Sequence, residues 1–178
     1  MLILSRKEVE HLLDPNELVT VLEEGFKALS SGQLHVPPRN QAIAPKGILV
    51  GMPAYMPGRH MSVKLVTVFH ENNKLHIPAH QATITLFDSD TGTPLAFMDG
   101  EYITAVRTAA GAILSARCLA RQDRKAVAII GAGVLGHAHL KMVGTLPGIE
   151  QIWIASRDPA HAHALASHDS RARALDSV

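Results

Sequence analysis

The chain has 178 residues, 47% hydrophobic and 19% charged, an ordinary globular mix long enough for one good-sized domain or one and a half with a real core. A formal net charge of +1 gives no electrostatic footing for nucleic acid or an acidic membrane, and the single cysteine, Cys118, excludes an internal disulfide framework. No apolar run approaches the ~18 residues of a membrane span, and "MLILSRKEVE" turns charged too soon for a signal peptide, so a cytoplasmic location is expected.

Two helix starts open the chain. Ser5 with Glu8 reads as a capping box, and Asp14-Pro15 with Glu17 reads as a second start with proline at the first helical position. Leu18, Leu22, Phe26 and Leu29 recur at helical spacing, which predicts a helix over 15–31 stopped by Gly32. From "HVPPRNQ" to "LAFMDG" the pattern changes to strands: "GILVGMPAYM", "MSVKLVTVFH" and "ATITLFDSD" are β-branched and apolar, separated by Gly, Pro and Asn. "DSDTGTP" reads as a hairpin turn in which Gly92 supplies a positive φ.

A long helix is predicted over "EYITAVRTAAGAILSARCLAR", ending near Arg121 and carrying Cys118 as a packing residue with no partner to activate it. Charged "RQDRK" leads to the strand "AVAIIG", and the expected domain boundary lies there, giving units 1–122 and 123–178. Beyond it the pattern is strand, glycine turn, helix, strand ("QIWIASRD") and helix ("PAHAHALA"). The tail "SHDSRARALDSV" shows little apolar periodicity and is expected to be irregular. Two strands are only part of a six-stranded dinucleotide fold, and they would leave an unpaired edge and an uncovered apolar face. The fold class is therefore α/β: an α+β domain followed by a partial Rossmann-type domain.

Gly131, Gly133 and Gly136 stand in G-x-G-x-x-G register directly after the apolar strand, framing Val134 and Leu135. The first glycine permits the tight turn, the second lets the backbone approach a pyrophosphate, and the third allows helix to pack closely on strand. The following helix start offers free N–H groups and a positive dipole end to phosphates. The alternative is a glycine turn that merely packs tightly. The end of the second strand selects the nicotinamide cofactor: an acid there binds the ribose 2′-hydroxyl, whereas an arginine accommodates a 2′-phosphate. In "IASRD", Ser156 takes the acid's place, Arg157 stands beside it, and Asp158 comes two positions late. NADP(H) is favoured and NAD(H) left open, the alternative for Arg157 being a solvated loop residue.

"VPPRN", "GMPAY", "SVKLV", "DSDTGTPLAFMDGEYITAVRTAAGAILSARCLA" and "IIGAGVLGHAHL" together resemble the ornithine cyclodeaminase/mu-crystallin family over about Leu4 to Ala166. The most specific part is the "TG-P-A-MDG--IT--RTAA" block followed by the glycine turn. The resemblance implies a substrate-binding, dimerising domain joined to a Rossmann domain, and chemistry on amino acids or their imines with a nicotinamide cofactor. It implies that Arg39 and Arg107 hold the substrate carboxylate, that Lys64 lies beside the reacting carbon as the catalytic residue, and that Thr108 lies close to the cofactor. Guanidinium groups suit carboxylates because they offer two parallel hydrogen bonds. Lys64 alternates with Val66 and Val68 on one strand face, which would disfavour its charge. Taken alone, each cation could equally be a snorkelling side chain on a core element.

Reduction of a cyclic ketimine such as pyrroline-2-carboxylate, or conversion of ornithine to proline, is the implied reaction, in a homodimer formed through the N-terminal domain. The alternative is a truncated, non-catalytic dimeric binding protein of the same family. Family members continue well past this length, and their later part carries an aspartate that binds the substrate amine. No residue here matches it, and Asp169 and Asp176 fall in the tail. No metal site is expected: His137 with His139, and His161 with His163, are spaced by two on helices, which points them to different faces. Pro78 argues against a helix bringing His76 to His80.

Overall fold

The computed structural model describes residues 1–176. Two compact units emerge, one made of Met1–Leu13 with Glu23–Thr104, the other of Asp14–Leu22 with Ala105–Val178. Division by compactness falls between Thr104 and Ala105, inside the long third helix, and "RQDRK" lies between that helix and the next strand.

Both helix starts behave as the sequence predicts. Strand β1 (Leu2–Leu4) leads into α1 (Arg6–Leu12), where the Ser5 hydroxyl accepts from the Glu8 N–H and the Glu8 carboxylate accepts from the Ser5 N–H at 2.8 Å. Helix α2 (Pro15–Ser30) is capped by Asp14, whose Oδ1 accepts from the N–H groups of Asn16 and Glu17 at 2.9 and 2.8 Å. It stops at Gly32, φ 72°, with Gln33 N–H reaching back to the Ala28 carbonyl and Gly32 N–H to Leu29. Its buried residues are Val19 and Ala28; Phe26 and Leu29 keep about half their surface in solvent. Periodicity marks the helix, but which apolar side chains find cover depends on neighbours it does not encode.

Strands β2 (Asn40–Ala44), β3 (Gly47–Ala54), β4 (Met61–Val68), β5 (His80–Phe87) and β6 (Pro94–Asp99) join β1 in one sheet, ordered β1-β6-β5-β4-β3-β2. All neighbours are antiparallel except β1 and β6. The hairpin turn forms as expected, with Asp88 N–H donating to the Thr93 carbonyl at 2.9 Å and Gly92 at φ 70°. Register decides the two faces. Met52, Lys64, Ile84 and Met98 lie in one row, on the same side as buried Val66, Ala82 and Ala96. Ile3, Phe97, Thr85, Val63 and Pro53 form a row on the opposite side, where Leu49 and Leu65 also point.

Helix α3 (Glu101–Leu119) opens at Asp99, whose Oδ1 accepts from Tyr102 N–H at 3.0 Å. Gly100 has no room for a side chain there, because a Cβ would sit 3.0 Å from Ala82. Val106, Ala109, Ala110, Ile113 and Leu114 of α3 are buried, but Cys118 is exposed. The expectation that Cys118 packs inside is therefore corrected: it falls near the helix end, beyond the last buried pair.

The second unit carries β7 (Ala126–Ile130), α4 (Val134–Val143), β8 (Gln151–Ala155), α5 (Pro159–Ala166) and β9 (Ala172–Leu175), with β7-β8-β9 a parallel sheet. The strand β9 corrects the expectation of an irregular tail and of two strands only. "ARAL" is short and interrupted by Arg173, so it shows no period. It becomes a strand because Ala172 and Ala174 pair with Ile152 and Ile154. The core of this unit is Ile129, Ile152 and Ile154 with Leu140, Val143, Ala162 and Leu165.

Candidate dinucleotide-binding site

The turn from β7 to α4 gives each glycine a different reason to be glycine. Gly131 sits at φ 106°, a backbone shape that side chains disfavour. Gly133 is the N-cap of α4 at φ −85°, and a Cβ there would meet nothing within 4 Å. Gly136 is buried, and its Cβ would lie 2.1 Å from the carbonyl oxygen of Gly131. The third glycine thus lets the helix settle on the turn's own backbone, with the Leu165 side chain next nearest at 3.3 Å.

Gly133 provides no side-chain cap, so no side chain at that position satisfies the first N–H groups of α4. Val134 and Leu135 are exposed, which leaves the helix start open to solvent. An exposed helix start with empty space where a Gly133 Cβ would stand suits the diphosphate of a dinucleotide.

The Gly131 N–H donates to the carbonyl of Ala155 at 2.8 Å, tying the turn to the end of β8. That bond brings Ser156 and Arg157 next to the glycine turn; Ser156 is half-buried and Arg157 exposed. Asp158 serves a different purpose, because its Oδ1 accepts from Ala160 N–H at 3.0 Å and caps α5. The Ala155 carbonyl's part was not legible in the sequence, since a backbone acceptor leaves no side-chain signature.

Both tail aspartates are engaged locally. Asp169 takes a two-pronged hydrogen bond from Arg171, 3.0 Å from Nε and 2.7 Å from Nη2, and this pair holds the Asp169 carboxyl below the usual carboxylate range. Arg171 also donates to the Ile149 carbonyl at 3.2 Å, so the fork fixes the entry to β9. Asp176 lies 3.1 Å from Nε2 of His163.

The cations named from the sequence are distributed between the units. In the first, Arg39 is exposed just before β2, and Lys64 is half-buried on β4 between Met52 and Ile84. In the second, Arg107 is exposed on α3 although Val106 beside it is buried, and Thr108 is half-buried. Among the described residues no three of His, Cys, Asp or Glu converge as a metal site, and no helix is long and apolar enough to cross a membrane.

Known proteins share this arrangement. The mouse (Mus musculus) ketimine reductase mu-crystallin is 32% identical over 171 residues, covering 92% of this chain and 55% of the mouse protein. A solved structure of the Thermococcus litoralis Delta(1)-pyrroline-2-carboxylate reductase, in complex with NADH and L-proline, matches all of this chain and 58% of its own at a TM-score of 0.91 and 34% identity. An archaeal alanine dehydrogenase dimer with bound NAD matches 98% of this chain and 56% of its own at a TM-score of 0.91 and 28% identity. The chain spans about half the length of the curated relatives it matches. The model of the ornithine cyclodeaminase/mu-crystallin family matches residues 1–175, and the chain belongs to that family.

Proposed function

We propose that this chain carries the N-terminal portion of an NAD(P)-dependent reductase of cyclic or amino-acid-derived imines, with pyrroline-2-carboxylate as the type substrate. The observation that carries this reading is the open cradle at Gly133, where uncapped helix donors face a space with room for a diphosphate. Residues 1–122 are assigned to substrate binding and dimerisation and 123–178 to the start of the cofactor domain. A cytoplasmic location accords with the free thiol of Cys118.

When bound, the nicotinamide supplies hydride to the carbon of a C=N bond. The chain's own groups do the rest. The N–H groups of Val134 and Leu135 hold the diphosphate over Gly133, Gly131 shapes the turn that leads into the helix, and Thr108 lies near the cofactor. Arg39 and Arg107 fix the substrate carboxylate, which orients the reacting carbon. Lys64 moves a proton to the substrate nitrogen as the carbon accepts hydride. Its half-buried position on β4, in register between Met52 and Ile84, supports that role by holding the side chain on the sheet face that carries buried Val66.

Cofactor choice rests on the end of β8. With Asp158 committed to capping α5, Arg157 is the group available to a ribose 2′-phosphate, and NADP(H) is favoured over NAD(H). Titration of NADPH and NADH by fluorescence should show NADPH held roughly tenfold tighter, and Arg157→Ala should erase the difference. Equal affinities in the unaltered chain would reject the NADP preference. For the reaction, NADPH oxidation with pyrroline-2-carboxylate is measured in a version extended to its relatives' length. Turnover lost in Lys64→Met with nucleotide binding retained supports the assignment, and no oxidation above background rejects it.

Dimerisation belongs to the same reading. The face of the first sheet that bears Ile3, Phe97, Leu65 and Leu49 exposes between 38% and 67% of each side chain, apolar surface that association would remove from water. A second copy of this chain is proposed to cover it.

A further inference from the structure

Helix α4 has two sides with different surroundings. Gly136, His139 and Val143 face the cleft of the glycine turn, whereas His137, Leu140, Lys141 and Gly144 follow one another at helical spacing on another side. That second stripe walls a separate groove of about 320 Å³, completed by Leu165 of α5 and by His168, Asp169 and Arg171 on the way into β9. Leu140 and Leu165 are buried, and His137 and His168 are exposed.

The two imidazoles meet edge to face, their ring centres 5.8 Å apart and their planes at 70°. Each is anchored in the same way. His137 Nδ1 lies 3.1 Å from the carbonyl oxygen of Gly133, and His168 Nδ1 lies 3.0 Å from that of Ala164. A carbonyl oxygen can only accept, so both Nδ1 atoms carry the hydrogen and donate it. In the neutral rings both Nε2 lone pairs are then left bare. Metal-binding histidines use this arrangement: a backbone carbonyl fixes the tautomer through one ring nitrogen, and the other nitrogen ligates. Two imidazoles sharing one zinc ion through Nε2, at about 2.0–2.1 Å each, set their ring centres about 5–6 Å apart. Asp169 and Arg171 neutralise one another in their fork, and Lys141 adds a positive charge that keeps such a site weaker than a four-ligand one.

We propose that His137 and His168 form a two-histidine site for a divalent transition ion of the zinc, nickel or copper class, with solvent completing the coordination. Imidazole nitrogen suits these ions. Among the described residues no third His, Cys, Asp or Glu joins the pair. The two histidines stand far apart in sequence, so no spacing rule brings them together; the packing of α4 beside the end of α5 does. An ion held there ties α4 to the segment entering β9, on a side of the helix away from the dinucleotide cradle.

The test is zinc binding by the full, untagged chain without nucleotide, measured by competition with a chromogenic chelator. A one-to-one complex is expected, in which the Nε2 resonances of His137 and His168 move together in nitrogen NMR spectra. His137→Gln and His168→Gln, both at exposed positions, should each weaken binding roughly tenfold or more while circular dichroism stays unchanged. His161→Gln, an exposed histidine of α5 outside the groove, should not. Zinc should also raise the melting temperature of the parent and leave that of His168→Gln where it was. No zinc bound, binding indifferent to both groove variants, equal loss in His161→Gln, or inorganic phosphate bound in zinc's place would each overturn the proposal. Neither nucleotide nor turnover enters the assay, so its failure leaves the reductase reading standing.

Discussion

Gly133 and Gly136 stand in one turn, yet their substitution should have opposite consequences. At Gly136 an added methyl would collide with the Gly131 carbonyl at 2.1 Å, a backbone atom that cannot swing aside. Gly136→Ala should therefore cost about 1–3 kcal/mol in denaturant unfolding as α4 is pushed off its turn. At Gly133 the space is empty and φ is ordinary. Gly133→Val should leave stability within about 1 kcal/mol while lowering NADPH affinity by an order of magnitude or more, because the isopropyl group occupies the phosphate's place. Should the valine variant bind nucleotide as the parent does, the backbone cradle is wrong. The sequence showed which three residues must be glycine. It attributed Gly136 to packing of helix on strand, whereas the tightest contact is with the turn itself, and no spacing rule reveals that. Arg107 teaches the same lesson: Val106 before it on α3 is buried, but its own side chain is exposed.

Elements were most legible where a side chain ends them. Ser5 with Glu8, Asp14 with Pro15, Gly32 and Gly92 all mark boundaries, because each supplies a hydrogen bond or a backbone angle the junction needs. The long "TG-P-A-MDG" block has the same origin. Asp88 accepts from the N–H groups of Asp90 and Thr91 in the hairpin, and Asp99 and Gly100 build the start of α3. β9 lay beyond this kind of reading, since its partner strand and the Asp169–Arg171 fork create it. That fork has a consequence with pH. Its hydrogen bonds lower the folded-state pKa of Asp169, so its contribution is present above the unfolded value near 3.9 and lost as pH falls through the folded one. Asp169→Asn should destabilise the chain at pH 7 by about 1 kcal/mol, a value kept small because the Arg171 side chain is one-third exposed. The gap between variant and parent in urea midpoints should narrow as the pH is lowered and the carboxylate is protonated. A gap that stays constant through acid titration of the carboxylate would show that its charge is not what matters.

For the whole molecule, the decisive quantity is apolar surface left without a partner. Alternation in "SVKLVTV" put Lys64, Val66 and Val68 on one face correctly, but it could not say which of the two faces would be covered. Register answers that: Val66 is 6% exposed and Leu65, its chain neighbour pointing the other way, 40%. Leu65 lies on the central part of the six-stranded sheet, not at its rim, so solvent exposure there is costly unless another surface covers it. A dimer interface of standard size removes roughly 800 Å² from each partner, within what one face of six strands can offer. Leu65→Asp should therefore convert a dimer to a monomer in sedimentation at micromolar concentration, while circular dichroism and NADPH binding stay unchanged, because the substituted side chain faces away from the sheet's own core. Asn40→Asp, on the exposed edge strand β2, adds the same charge and should leave the dimer intact. If both variants sediment as the parent does, the second copy does not bind this face.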